Sequence, residues 1–262
     1  MAETDSIRRA VFLYDQHYPH CISAFYDITS PKKKTPLLRF LKDFSPQIVV
    51  HGGDQMDLEA ISFWNRGKPR LKEGARLAKD YEGYNYVLDA IETATPHATE
   101  KYMLEGNHEL RIQHIIDEQP ELAEGLIEVP KNLRLRQRGI KWIPSRGLAQ
   151  VGKLYCMHGD WKQGILPQHH TRQALLIYHR NLLYGHAHTN MVSTSVSPVD
   201  THPYQAWCIG TLANVNPYWR RDEASAWVNS FAVGYFHKSG DFSLSVINII
   251  NGSFIYDGVV YK

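Results

Sequence analysis

Short apolar runs recur along the chain, and each is followed by a polar cluster. Residues 9–15 (RAVFLYD) form the first run, and residues 47–50 (QIVV) form the second. Further runs cover residues 101–104, 152–156 and 181–183. Apolar runs of this length are typical of buried β-strands. Because sites form at the carboxyl ends of strands in α/β sheets, the clusters predict one shared site.

Longer stretches with the helical spacing of apolar residues lie between the first strands. They cover residues 35–44 and 72–93, and residues 110–128 are expected to form one or two helices around Pro120. Helices among the early strands, followed by a strand-rich tail, predict an α/β fold. We expect two packed β-sheets flanked by helices.

The tail of the chain, residues 230–261, alternates apolar and polar positions. Turn signals at residues 238–241 (KSGD) and 251–252 (NG) predict antiparallel strands there. No shift in composition marks a linker, so residues 1–262 are interpreted as a single domain. We expect the strands within residues 204–262 to complete the second sheet.

Composition narrows the class of protein. Hydrophobic residues make up 43% of the chain and charged residues 21%, which is ordinary globular usage and argues against disorder. The net charge of +2 is too small to indicate nucleic-acid binding by itself. The three cysteines are far apart, which favours a reducing cytoplasm over a disulfide framework. No apolar run predicts a membrane span, and the first residues lack the features of a signal peptide.

The polar clusters contain carboxylates, imidazoles and one amide, but no thiolate. In chain order they are Asp15-x-His17, Gly53-Asp54-x-x-Asp57, Gly106-Asn107-His108-Glu109, His158-Gly159 and Gly185-His186-x-His188. This donor set suits divalent manganese, iron or zinc. The ligands are too many for one ion, and they match two ions that share a bridging carboxylate. Two metals about 3.5–4 Å apart can hold both the attacking and the leaving oxygen of a phosphoryl displacement.

These clusters, which span residues 15–188 in this order, resemble the motifs of the calcineurin-like metallophosphoesterase superfamily. The resemblance implies a four-layer α/β/β/α fold and a hydrolase that acts on phosphoester bonds. It also implies that a hydroxide held between two divalent metal ions attacks phosphorus in line, without a covalent intermediate. Manganese is the favoured metal, with iron, zinc or nickel as alternatives.

The resemblance assigns a role to each cluster. The implied metal ligands are Asp15, His17 and His188 for the first ion, Asp54 as the bridge, and Asn107, His158 and His186 for the second ion. His108 would lie beside the leaving group as general acid or electrostatic stabiliser. Asp57 would hydrogen-bond His108 and orient it, and Asn107 would also contact the phosphate.

Two departures from the motifs concern the substrate. Protein phosphatases of the superfamily carry Arg-Gly after the second Asp of the GD cluster, whereas Leu58 and Glu59 stand there in this chain. This difference weakens the interpretation as a protein phosphatase. The repair nucleases of the superfamily usually have GNHD, and this chain has GNHE.

Several residues outside the metal clusters are candidates for substrate binding. His20 either lines the pocket or lies in a solvated loop, and Arg111 either turns to the phosphate or faces solvent from a helix. Trp219 and Arg220, within the segment NPYWRR, either stack on bases and hold phosphates or form a turn packed on the sheet.

A basic segment, residues 131–146, has no acidic residue. If it forms a strand, Arg134, Arg136 and Arg138 share one face. That face is either a track for a phosphate backbone or, as we favour, the solvated face of an edge strand.

The leading functional hypothesis is a cytoplasmic phosphodiesterase that acts on nucleotides or nucleic acid. The first alternative is a phosphomonoesterase acting on a small molecule or a phosphoprotein. The second is a catalytically silent interaction module that keeps the fold. No membrane partner is expected, and the sequence predicts no particular protein partner.

Overall fold

Two β-sheets and a small C-terminal hairpin contain all the strands of the described chain. The computed structural model describes residues 6–63, 67–161, 169–196, 198–199, 202–217 and 226–262. In chain order the strands are β1 (Arg8–Leu13), β2 (Ile48–His51), β3 (Glu100–Leu104), β4 (Ile140–Ile143), β5 (Ala149–Val151), β6 (Leu154–Cys156), β7 (Asn181–Tyr184), β8 (Met191–Ser195), β9 (Tyr204–Cys208), β10 (Ser230–Phe236), β11 (Phe242–Asn248), β12 (Phe254–Tyr256) and β13 (Val259–Tyr261).

The order of strands differs between the two sheets. The first sheet runs β11-β10-β1-β2-β3-β4, and the second runs β5-β6-β7-β9-β8. Strands β1 to β4 are parallel to one another, as are β6, β7 and β9. The carboxyl ends of these parallel strands therefore meet at one edge of each sheet.

The helices cover the outer faces of the sheets. They are α1 (Pro36–Phe44), α2 (Leu77–Ala94), α3 (Leu110–Glu118), α4 (Pro120–Ala123), α5 (Val129–Asn132) and α6 (His170–Tyr178). Thr35 caps α1 by accepting a hydrogen bond from the Leu38 amide, and Pro36 begins the helix. Among the described helices, none has the length and apolar composition needed to cross a bilayer.

Alternation along β1 shows how the layers pack. Val11 and Leu13 join a core with the buried faces of α1 and α2, whereas Ala10 and Phe12 join a core with residues of the second sheet. The outer face of the second sheet packs against α6 through a third cluster that includes Leu175. The result is four layers, helix on sheet on sheet on helix, which confirms the predicted fold class.

The C-terminal strands correct one prediction. Within residues 204–262, only β9 lies in the second sheet. Strand β10 pairs with β1 and with β11, and β12 and β13 form a separate two-stranded sheet. Six of the seven residues of β10 are buried, as a strand covered on both faces requires. The interpretation of the chain as a single domain stays a prediction.

The basic segment also differs from its prediction, because residues 133–139 form turns and the strand begins only at Ile140. The guanidinium of Arg138 forms ion pairs of 2.7 Å with Asp89 and 2.5 Å with Glu92, both on α2. These contacts bury Arg138 against a helix, so the three alternating arginines do not share one exposed strand face.

Candidate metal centre

The polar clusters converge because each directly follows a strand end. Strands β1, β2 and β3 end side by side in the first sheet, and β6 and β7 end side by side in the second. The clusters follow these strands within three residues. All seven residues that the resemblance assigned to metals lie together there, and we call them the floor: Asp15, His17, Asp54, Asn107, His158, His186 and His188.

The backbone of the floor is strained. Asp15, His17, Asp54, His186 and His188 have φ between 45° and 63°, in the left-handed region that residues other than glycine adopt only occasionally. Such conformations cost about 1–3 kcal/mol each and concentrate at functional sites. Five of them in one constellation indicate that the fold holds these side chains in place at an energetic cost.

Two glycines allow the loops to approach one another. A Cβ on Gly185 would lie 2.1 Å from Asp15 Oδ2, and a Cβ on Gly106 would lie 2.2 Å from both the amide nitrogen and Oδ1 of Asp54. Any larger residue would push a floor carboxylate away. The glycines of the GNHE and GHxH motifs therefore serve close packing between loops.

The first group of ligand atoms comes from Asp15, His17 and His188. His188 Nε2 lies 3.3 Å from Asp15 Oδ1 and 3.3 Å from His17 Nε2. Asp15 Oδ1 is buried and accepts no hydrogen bond from the described residues. A buried carboxylate oxygen without a hydrogen-bond donor, facing converging imidazole nitrogens, fits a cation ligand.

The second group comes from Asp54, His158 and His186, with Asn107 beside them. His158 Nε2 lies 3.0 Å from Asn107 Oδ1, 3.3 Å from His186 Nδ1 and 3.4 Å from Asp54 Oδ2. Burial lowers the pKa of His158, but the charges of Asp54 and Asp15 outweigh burial and raise it to about 10. This part of the floor therefore strongly favours a positive charge.

Asp54 lies between the two groups. Its Oδ2 is 3.4 Å from His158 Nε2 and 3.7 Å from His17 Nε2, while its Oδ1 accepts the backbone amide of His108 at 2.9 Å. Oxygen and imidazole donors of this kind fit divalent ions of intermediate hardness. The donor atoms of the floor and its unpaired carboxylate oxygen therefore fit a site for divalent metal.

Hydrogen bonds behind the floor fix the orientation of its imidazoles. His17 Nδ1 donates to Asp57 Oδ1 at 3.1 Å, and His158 Nδ1 donates to the Gly52 carbonyl at 3.1 Å. Both rings therefore direct Nε2 into the site. Metal-binding histidines usually donate their second ring nitrogen in this way.

His108 is oriented by Asp57, but mainly through the backbone. Its Nδ1 lies 2.9 Å from the Asp57 carbonyl and 3.3 Å from the Asp57 carboxylate. Burial lowers the pKa of His108, yet Asp54 and Asp57 together hold it above its ordinary value. Asp57 thus contacts both His17 and His108 through one carboxylate.

Glu109, the last residue of GNHE, has a structural role that the sequence analysis did not assign. Its side chain is fully buried, and its carboxylate accepts hydrogen bonds from the amides of Asp54 (3.0 Å), Met56 (3.0 Å) and Gly106 (3.1 Å). One side chain therefore ties the loop after β2 to the loop after β3. The acidic residue next to GNH was visible in the sequence, but its hydrogen-bond partners were not.

The floor opens into a cavity of about 570 Å³, within the size range of pockets for drug-sized ligands. Around the opening lies a second set of lining residues, which we call the rim: His20, Glu59, Lys68, Arg111 and Trp227. His20 Nε2 lies 3.0 Å from Glu59 Oε1, and Arg111 donates to the Asp57 carbonyl at 2.7 Å.

Three of the predicted substrate-binding residues, Asn107, His20 and Arg111, line the cavity. Their role in substrate binding stays a prediction. Trp219 and Arg220 lie outside the described residues. Lys68 and Trp227, which also line the cavity, were missed because no motif marks them.

Comparisons with solved structures found similar chains. Two similar solved structures are a single-substitution variant of Vps29 from Entamoeba histolytica and a conserved uncharacterized protein, titled a predicted phosphoesterase, from Streptococcus pneumoniae TIGR4. The first is 14% identical with a TM-score of 0.47, and it aligns over 97% of this chain and 99% of its own. The second is 13% identical with a TM-score of 0.39, over 97% and 96%.

No curated protein matches the sequence significantly. A family profile does match it, over residues 19–225, and its description is calcineurin-like phosphoesterase. This span covers most of the chain and all of the floor except Asp15 and His17. The chain belongs to the calcineurin-like phosphoesterase family.

Proposed function

We propose that this protein is a two-metal phosphodiesterase that acts on nucleotides or nucleic acid. The family supports metal-dependent hydrolysis of phosphoesters. The observation that carries the proposal of two ions is the position of Asp54 Oδ2, within 4 Å of imidazole nitrogens of both ligand groups. Asp15, His17 and His188 would hold one ion, Asn107, His158 and His186 the other, and Asp54 both.

Bound divalent ions supply an acidified water and neutralise charge on the phosphate. The chain supplies the remaining chemistry. His108 is held through Nδ1, so its Nε2 is the atom available to donate a proton to the leaving oxygen. Arg111, held on the carbonyl of Asp57, presents a cation to the cavity for the phosphate oxygens.

A diester is favoured over a monoester by the two residues that stand where protein phosphatases of the superfamily carry Arg-Gly. Leu58, at the position of the protein-phosphatase arginine, is fully buried in the core and brings no cation. Glu59 instead adds a carboxylate to the rim. Because a phosphate monoester carries about one more negative charge than a diester near neutral pH, a carboxylate in the rim opposes the monoester more.

A nucleotide-sized substrate is favoured by the space beyond the floor. The cavity extends from the ligand groups to Lys68 and Asn214. A volume of about 570 Å³ leaves room for a sugar and a base beside the phosphate. The basic segment of residues 131–146 no longer supports this substrate, since Arg138 is engaged with α2.

The test compares bis(4-nitrophenyl) phosphate with 4-nitrophenyl phosphate, using protein loaded with manganese and analysed for metal stoichiometry. We expect two ions per chain and a higher kcat/KM on the diester. Asp54→Asn should lose at least one ion and nearly all turnover, whereas Asp117→Asn, on the exposed face of α3, should lose neither. A preference for the monoester would move the assignment to a phosphatase. Two bound ions without turnover of either compound or of single-stranded DNA would favour a silent module.

A further inference from the structure

Among the described residues that line the cavity, Trp227 is the large aromatic side chain. Its ring centroid lies 4.4 Å from that of His188, with the planes at 68°. His188 in turn contacts His17, and His17 contacts His108, with centroids 5.1 Å and 4.6 Å apart. Trp227 is thus the outer end of a row of rings that begins with the proposed proton donor, His108.

The backbone around Trp227 is fastened to the floor. The amide of Val228 donates to the His188 carbonyl at 2.9 Å, and the Val228 carbonyl accepts the amide of Thr211 at 2.9 Å. Asn229 Nδ2 donates to the carbonyls of Thr211 and Ala213 at 2.9 Å and 2.7 Å. Thr211 itself donates through Oγ1 to the carbonyl of Asp15 at 2.6 Å. The indole is therefore mounted on the metal-binding loops, which limits the entropy lost when a ligand packs on it.

Apolar residues line the cavity together with Trp227. Ala213 and Pro217 line the cavity with it, whereas His20, Lys68 and Arg111 supply polar and cationic groups. A ligand that suits both sets has an anionic group and a planar apolar part. A nucleotide has both, because every base offers a face for stacking on an aromatic side chain.

We propose that Trp227 is the stacking platform for the base of the substrate, while the floor holds its phosphate. This inference rests on the proposed function and narrows it, because it places the base on the His188 side of the site. It requires only one base to be stacked, so it holds equally for a mononucleotide and for one residue of a strand. The competing explanation is that Trp227 only supports the ring of His188.

The test measures binding of two ligands that share a sugar phosphate and differ in the base. Uridine 5′-monophosphate and ribose 5-phosphate are titrated calorimetrically into the manganese-loaded protein. We expect the nucleotide to bind about tenfold more tightly or better, as stacking on one aromatic ring allows. Trp227→Leu should remove most of this preference, and Trp227→Phe should keep most of it, with metal content unchanged in the phenylalanine variant.

Three results would overturn the proposal. They are a wild type without preference for the nucleotide, a Trp227→Leu variant that keeps the preference, and equal weakening of both ligands, which would assign Trp227 to the support of His188. Trp227→Phe keeps a ring against His188, so it remains informative if the leucine variant loses metal. Because binding does not require turnover, a preserved preference without diester hydrolysis would refute the phosphodiesterase and leave the stacking platform in place.

Discussion

The floor of the cavity is built from strand ends, whereas the rim is built from loops and the starts of short helices. Floor residues such as Asp15 and Asp54 are buried, and most of them have left-handed backbone conformations. In the rim, Lys68 is exposed and the other residues are half-buried, and His20 Nε2 lies 3.0 Å from Glu59 Oε1 and 3.8 Å from Asp57 Oδ2. The floor is therefore specified by the sheets, and the rim by segments that can change without disturbing them.

This difference suggests that the floor determines the chemistry and the rim determines the choice of substrate. Metal binding needs fixed residue types at fixed positions, and strained backbone persists only where surrounding structure enforces it. Substrate selection needs only that suitable groups reach the opening, which many loops can supply. We expect substitutions in the floor to abolish hydrolysis and substitutions in the rim to change the choice of substrate.

The largest effect is expected for Gly185→Ala, which replaces none of the proposed ligand residues. The added Cβ would lie 2.1 Å from Asp15 Oδ2, so the carboxylate must move. We expect kcat/KM for the diester to fall by more than about a thousandfold, because metal-dependent hydrolysis loses a ligand of the first ion. Metal analysis of the purified variant should show fewer bound ions.

Gly74→Ala is the matched control for the added methyl group. Gly74 has φ of +78° but no neighbouring atom within 4 Å of an added Cβ. It should lose about 1 kcal/mol of stability and keep both metal and activity. Equal loss of activity in the two variants would show that crowding of Asp15 is not what disables the site.

His108→Ala should produce the next largest effect, and it probes the boundary between floor and rim. If His108 donates a proton, kcat should fall about a hundredfold on a diester with a phenolate leaving group. The loss should be smaller with 4-nitrophenolate, which leaves without protonation. His114→Ala, on the exposed face of α3, is the control. Equal losses on both leaving groups would assign His108 to electrostatic stabilisation instead.

Glu109→Gln tests whether the floor depends on the hydrogen bonds behind it. The amide group of glutamine would turn N–H donors toward backbone amides that now donate to the carboxylate. We expect metal affinity to fall about tenfold or more, as for other groups that orient metal ligands. Glu109→Asp should retain part of the affinity, and Glu121→Gln, on exposed α4, should retain all of it. Unchanged affinity in Glu109→Gln would show that the loops hold their positions without this carboxylate.

The sequence predicted that the floor residues lie together because its signals are local, while their binding of metal stays a prediction. Strands β1, β2 and β3 read as apolar runs, and metal chemistry restricts the residues that follow them to a recognisable few. Helix α1 was equally predictable from the sequence, since Thr35 and Pro36 mark its start and its apolar positions have helical spacing. In each case the residues that decide the structure lie within a few positions of one another.

The failures arose where distant partners decide the outcome. The alternation of Arg134, Arg136 and Arg138 suggested a strand, but Arg138 pairs with carboxylates on α2 more than forty residues earlier. Strand β10 was assigned to the wrong sheet because its alternation does not reveal which strand it will pair with. Trp227 and Lys68 line the cavity from segments without any motif. Partners of this kind become visible only when the fold is known.

The smallest predicted effect concerns Glu59, whose carboxylate is the charge that we use to explain preference for a diester. Glu59→Gln removes this charge while keeping the shape of the side chain beside His20. One unit charge at the partly solvated rim should change the ratio of diester to monoester kcat/KM by about twofold to fivefold, in favour of the monoester. Raising the salt concentration should reduce the difference, because the rim is open to solvent. Glu73→Gln, exposed and outside the cavity lining, should leave the ratio unchanged. A ratio unaffected by Glu59→Gln would mean that the preference for a diester is set in the floor. The charge of the rim would then have no part in the choice of substrate.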